Sequence, residues 1–178
     1  MSPPALTGIE HRIIVGIAEM TVANDPDVIL ATYSLGSCLG VAIFDPVAKA
    51  GGLLHVMLPD SSIDPAKALE HPCMFVDTGV PTLFRSAYQR GADKHRLLIT
   101  VAGGADILDC GGCFNIGERN GEALRQLFQQ HGLHVHATDI GGTVNRTMQL
   151  HLGTGQVRVK TSGTPGETTI LCKNSTTT

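Results

Sequence analysis

The chain of 178 residues contains no tryptophan, and aromatic residues make up only 4% of it. Its core must therefore be packed from aliphatic side chains, within a hydrophobic fraction of 42%. Charged residues are also scarce, at 16%, and 13 Lys and Arg against 16 Asp and Glu leave a formal net charge of −3. The cations form no run, so the basic footprint of a nucleic-acid interface is missing. No apolar stretch approaches the roughly 20 residues of a membrane-spanning helix, so no membrane insertion is expected. Met1-Ser2-Pro3-Pro4-Ala5 lacks the basic and apolar regions of a secretion signal. Five cysteines without such a signal fit reduced thiols in a cytoplasmic protein better than a disulfide framework. Neither Gly103-Gly104 nor Gly141-Gly142 lies in a phosphate-loop pattern, and no cofactor is expected.

Glycine, by contrast, is abundant at 21 residues. Together with the length, this predicts one compact, turn-rich α/β domain of the α+β type, with mixed β-sheets layered on two main helices. Apolar runs predict strands over 12–18, 28–32, 39–44, 53–58, 95–102 and 133–139. A hairpin is expected from 145–152 and 156–160 across Gly153-Thr154-Gly155. Val76, Val80, Leu83, Phe84, Ala87 and Tyr88 share one helical face, stopped at Gly91, with Pro81 near its start. Asn115 and Glu118 have capping-box spacing ahead of Ala123, Leu124, Leu127 and Phe128, and Gly132 closes that helix. Residues 1–11 and 161–178 are expected to be loose tails, and Asp60–Pro72 a mobile surface loop near the site.

The most informative stretch is Tyr33–Pro46, followed by Gly51–Pro59. Cys38 sits in a Gly/Ser-rich bend, and His55 stands within the second apolar run. Thiol-dependent acyl transfer needs a thiolate to attack a carbonyl carbon and an imidazole to move the proton. The backbone N–H groups of Gly36, Ser37 and Leu39 are candidates to face an oxyanion. These residue types alone also fit a small buried thiol and a core histidine. A plain hairpin closed over 45–52 would set His55 opposite a residue near Ala42, about a dozen Å along the ladder from Cys38. Either the bend curls back or the strands are not simple neighbours.

The full string narrows the reading. Leu-Gly-Ser-Cys38-Leu-Gly-Val-Ala ends in Asp45-Pro46, and Gly51-Gly52-Leu-Leu-His55-Val-Met-Leu-Pro59 follows. Downstream come Asp77–Leu83, Val101–Ala105, Asn115–Asn120, Asp139–Gly142 and Gly153–Gly155. In this order, over residues 12–160, the segments resemble the CheD family of chemoreceptor glutamine deamidases. The resemblance implies a CheD-like deamidase domain over 12–160, with Cys38, His55 and Thr32 as the active residues. It also implies hydrolysis of receptor glutamine amides to glutamate and ammonia in chemotaxis adaptation. The implied partners are the cytoplasmic helices of chemoreceptors and a CheC-type phosphatase.

Other readings compete with it. A non-catalytic module docking to the receptor or phosphatase would keep the fold without the chemistry, and a thiol peptidase would need an open groove. Cys110-Gly-Gly-Cys113, drawn with His131, His134 and His136, has spacing too loose for a zinc site, and no second C-x-x-C exists. No metal is expected.

Overall fold

The structure, a computed structural model, describes residues 10–107, 115–164 and 168–171. Among these residues ten strands divide into two five-stranded sheets. The first runs β1 (His11–Ile14), β3 (Val28–Leu35), β8 (Arg146–His151), β9 (Gln156–Thr161), β10 (Thr168–Leu171). The second runs β2 (Met20–Ala23), β5 (Ala50–Val56), β4 (Leu39–Asp45), β6 (Leu98–Gly103), β7 (Ala137–Ile140). The pairs β1–β3 and β6–β7 are parallel and the remaining ladders antiparallel, giving the expected mixed sheets. The described residues also form three α-helices, α1 (Pro65–Glu70), α2 (Val76–Tyr88) and α3 (Ile116–Gln130), and two short 3-10 turns.

Strand alternation builds two cores. On β4, Leu39, Val41 and Ile43 face α2 and α3 with Val80, Leu83, Phe84, Leu124 and Phe128. The alternate residues Ala42 and Phe44 face the first sheet with Leu30, Met148, Leu150 and Val159. All seven residues of β4 are therefore buried, as are all seven of β5, which explains their unbroken apolar sequence. Leu53 belongs to the inter-sheet core, so His55, two residues on, points the same way.

The β4–β5 turn sets the register that matters most. Asp45 is fully buried and accepts hydrogen bonds from the backbone N–H of Val47, Ala48 and Asp93 and from Arg96. Burial alone would raise its carboxyl, but Arg96 and these backbone donors outweigh it and hold it at about 2. The turn so tied pairs Asp45 with Ala50, which places His55 opposite Gly40 rather than near Ala42.

Several sequence expectations are corrected. β1 ends at Ile14, and a separate strand, β2, follows a turn in which Ala18 takes φ 59°. β6 begins at Leu98, because Asp93 folds residues 93–97 into a hydrogen-bonded turn. β7 begins at Ala137, not 133. The segment Asp60–Pro72 is not a mobile loop. Asp64 accepts from Lys67 N–H, Pro65 starts α1, and Ser61 bonds Asp77, a cap-and-proline signature present in the sequence. Because α2 starts at Val76, Pro81 falls in its second turn, beyond the first-turn position where proline is tolerated best. Asn115 stands at the N-cap position of α3, but its side chain makes no capping hydrogen bond. It is left-handed, and its amide goes to the Glu118 carboxylate. The tail expected over 161–178 contains β10, paired antiparallel with β9, and His11 already belongs to β1.

Candidate active site

Thr32, the last residue of β3 before its register shift, is completely buried. Its Oγ1 lies 2.8 Å from the Val15 carbonyl oxygen and 2.7 Å from His55 Nδ1. A carbonyl can only accept, so the one hydroxyl proton goes to Val15. His55 must then donate its Nδ1–H to Thr32. This fixes the tautomer, with the proton on Nδ1 and the lone pair on Nε2. Nε2 is buried without a hydrogen-bond partner among the described residues. Burial lowers His55 to about 4, so the ring is neutral at ordinary pH and available as a base. The backbone of His55 is fixed by the β1–β2 connection: its N–H donates to Glu19 O, and Ala18 N–H donates to its carbonyl.

Cys38 is half-buried and packs against the inter-sheet core, the core His55 faces. Gly40, opposite His55, carries no side chain of its own, and Cys38 is two residues further along. On ladder spacing that is a diagonal step of about 7–8 Å between backbones, which a thiol and an imidazole ring can span. The chain reaches this position through an irregularity in β3 between Thr32 and Leu35, where Ser34 takes φ 57°. Burial pushes the Cys38 thiol above its ordinary value, while its own backbone N–H, facing the sulfur, pulls it down. The resting pair is therefore thiol and neutral imidazole.

Three consecutive carbonyls hold the nucleophile loop. Gly36 O accepts from Ala105 N and Cys38 O from Gly104 N, both at 2.8 Å, and Ser37 O accepts from Asn120 Nδ2 at 2.9 Å. Gly103 allows this approach: it has φ 110°, and a Cβ there would collide with the Cys38 carbonyl. The same geometry sorts the oxyanion candidates. Gly36 N–H is already donated to Ser34 O. His55 N–H points to β2, so ladder alternation makes Leu39 and Val56 the hydrogen-bonded pair and uses Leu39 N–H. Ser37 N–H has no acceptor among the described residues, and Cys38 N–H faces its own sulfur.

The sequence reading passed over Asn120. It is fully buried on α3, and its Nδ2 bonds both Ser37 O and, at 2.8 Å, Met57 O. α3 comes this close because Gly117 rests on the carbonyls of Gly104 and Ala105, where a Cβ would come within 2.6 Å. An asparagine on the apolar face of a helix was the available signal. Cys110 and Cys113 lie outside the described residues. His134 and His136 stack edge to face, and His136 Nδ1 accepts from Ile99 N–H, a structural role.

A neutral imidazole with a fixed tautomer, facing the same core as a half-buried thiol at the seam of two sheets, can take the proton from sulfur once the two meet and return it to a leaving group. That is the chemistry of a thiol-dependent acyl-transfer site. Residues 57–161 match the CheD family model, described as CheD chemotactic sensory transduction. A probable chemoreceptor glutamine deamidase CheD of Solibacter usitatus is 46% identical over 153 residues, covering 86% of this chain and 90% of its own. A second, CheD 1 of Syntrophus aciditrophicus, is 48% identical over 153 residues, with 86% and 96% covered. CheD 2 of Anaeromyxobacter dehalogenans is 40% identical over 148 residues, with 83% and 93% covered. Stretches this long leave too few residues outside to exclude Thr32, Cys38 or His55. The chain belongs to the CheD family.

Proposed function

We propose that this chain is a protein-glutamine deamidase that converts glutamine side chains of chemoreceptors to glutamate, the activity for which its curated relatives are named. Cys38, His55 and Thr32 carry the reaction. As substrate binds, His55 Nε2 takes the Cys38 proton and the thiolate attacks the side-chain amide carbon. The carbonyl oxygen becomes an oxyanion held by loop N–H groups. His55 returns the proton to the departing nitrogen, the C–N bond breaks, and ammonia leaves a thioester on Cys38. A water molecule, deprotonated by His55, adds to the thioester and releases glutamate and the thiol. Thr32 holds the imidazole tautomer through the cycle and, as a neutral acceptor, stabilises imidazolium less than a carboxylate would.

The observation that carries this reading is the buried Thr32–His55 bond, which leaves only Nε2 free on the face shared with Cys38. Among the described residues no helix is long and apolar enough to cross a membrane. A receptor's cytoplasmic helices as substrate, a cytoplasmic location and a CheC-type phosphatase as regulator rest on the family resemblance. The test is intact-mass analysis of a receptor fragment incubated with the chain. Replacement of –NH2 by –OH without chain cleavage supports the deamidase. Cleavage products point to a peptidase, and an unchanged mass points to a docking module.

A further inference from the structure

We propose that Asn120 is a positioning residue that sets the Ser37–Cys38 peptide plane and so aims the Cys38 N–H at the oxyanion. The inference rests on the thiol-deamidase reading and concerns a residue fully buried behind the nucleophile loop. Among the described residues every peptide bond is trans, and in a trans peptide the C=O and the following N–H point in opposite directions. Anchoring a carbonyl therefore aims the next N–H. Gly36 O and Cys38 O are anchored by backbone donors from Ala105 and Gly104. Between them, Ser37 O is anchored by a side chain, Asn120 Nδ2. That middle plane is the one whose N–H belongs to the nucleophile.

The Asn120 amide is suited to this in three ways. It is planar, and both of its hydrogens are committed: one to Ser37 O, the other to Met57 O two residues beyond His55. One rigid group thus ties the nucleophile loop to the strand carrying the base. Both partners are acceptors, so the –NH2 end must face them. Finally, the residue is fully buried on a helix seated by Gly117 on the Gly104–Ala105 backbone that holds the flanking carbonyls. The donors to all three loop carbonyls form one rigid body.

A positioning role separates two reactions at the same sulfur. Alkylation by iodoacetamide displaces iodide and develops no oxyanion, so it reads the thiol and His55 alone. Deamidation passes through a tetrahedral oxyanion. Asn120→Asp keeps the shape but replaces the donors with a carboxylate facing two carbonyls, and Asn120→Ala removes them. Both variants are expected to lose about 10²-fold in kcat on a receptor fragment. KM and the iodoacetamide rate should stay within about threefold of the parent chain. Thermal melting of each variant shows whether it folds. Where neither folds, the parent chain decides. Its ¹⁵N-labelled Cys38 amide resonance must shift when a glutamine-mimicking peptide aldehyde forms a hemithioacetal. Deamidation near the parent rate, alkylation falling in parallel with deamidation, or an unmoved Cys38 amide would each overturn the proposal. A parent chain that alkylates at Cys38 but deamidates no receptor fragment defeats the functional reading instead.

Discussion

Thr32 accepts a hydrogen bond from His55 because its own hydroxyl proton is already given to Val15 O. The histidine tautomer is thus decided by a backbone carbonyl on the β1–β2 connection. Thr32→Ser keeps the hydroxyl and should retain at least about a third of the activity. Thr32→Val removes the acceptor and leaves Nδ1–H and Val15 O unpaired in the interior, a cost of about 1–3 kcal/mol for each group. It should melt lower and lose kcat more than KM. If Thr32→Ser is as inactive as Thr32→Val, the threonine methyl, not the hydroxyl, is the essential group.

Of the two free cysteines among the described residues, Cys38 and Cys73, only Cys38 shares a face with His55. Cys38→Ala should abolish deamidation, and Cys73→Ala should leave it largely intact. His55→Ala should cost on the order of 10²–10⁴-fold, because it removes both proton transfers. Mass analysis of treated receptor fragments reads all three variants. Residual turnover by Cys38→Ala would refute the covalent mechanism.

Cys38 and His55 stand out in the sequence as a thiol in a Gly/Ser-rich bend and an imidazole in the next apolar run, whereas Thr32 enters only through the family resemblance. Helix stops at Gly91 and Gly132 are legible in the same local way. What escaped was non-local. Asn120 meets Ser37 and Met57 across 83 and 63 residues, a relation that no spacing reveals. The misplaced partner of His55 came from the β4–β5 turn, whose closure depends on Asp45 reaching Asp93 and Arg96 on the far side of α2. α1 was hidden for a different reason: its capping signal at Asp64-Pro65 lies in a polar stretch with little apolar periodicity.

The reactivity of Cys38 should report a neutral resting pair. Burial raises the thiol and lowers His55, so few molecules carry a thiolate at neutral pH. The iodoacetamide rate should therefore keep climbing as pH passes the ordinary thiol pKa. A plateau reached near neutrality would mean a preformed thiolate–imidazolium pair and would contradict this.

Acid should destabilise the fold through the same histidine. His55 has an ordinary value of 6.5 and is lowered to about 4 in the fold, so between those values the unfolded chain binds the extra proton. Stability is unaffected above that window and falls as pH drops through it, by on the order of 3 kcal/mol at most. His136 and His151 are also lowered, so the contribution of His55 is read by difference. Urea titrations of the parent chain and His55→Gln should converge as pH falls from 7 toward 4. Parallel curves would show that His55 is not the titrating group.

Gly117→Ala should harm the site from a distance. The new methyl would come within 2.6 Å of the Gly104 and Ala105 carbonyls and push α3 off its seat. Overpacking of this kind typically costs about 1–3 kcal/mol. The displacement carries Asn120 with it, so kcat should fall while the iodoacetamide rate at Cys38 changes little. Parent-like melting and turnover would show that α3 has slack at this contact.

The seam itself has a mechanical consequence. Thr32 belongs to the first sheet, His55 to the second, and their bond crosses from one to the other. Sliding one sheet past the other by a single residue, about 3.3 Å, would break that bond while leaving every ladder within each sheet intact. Competence for the reaction is thus a gauge of inter-sheet alignment, and a load applied to β10, at the far edge of the first sheet, could disarm the enzyme without unfolding it.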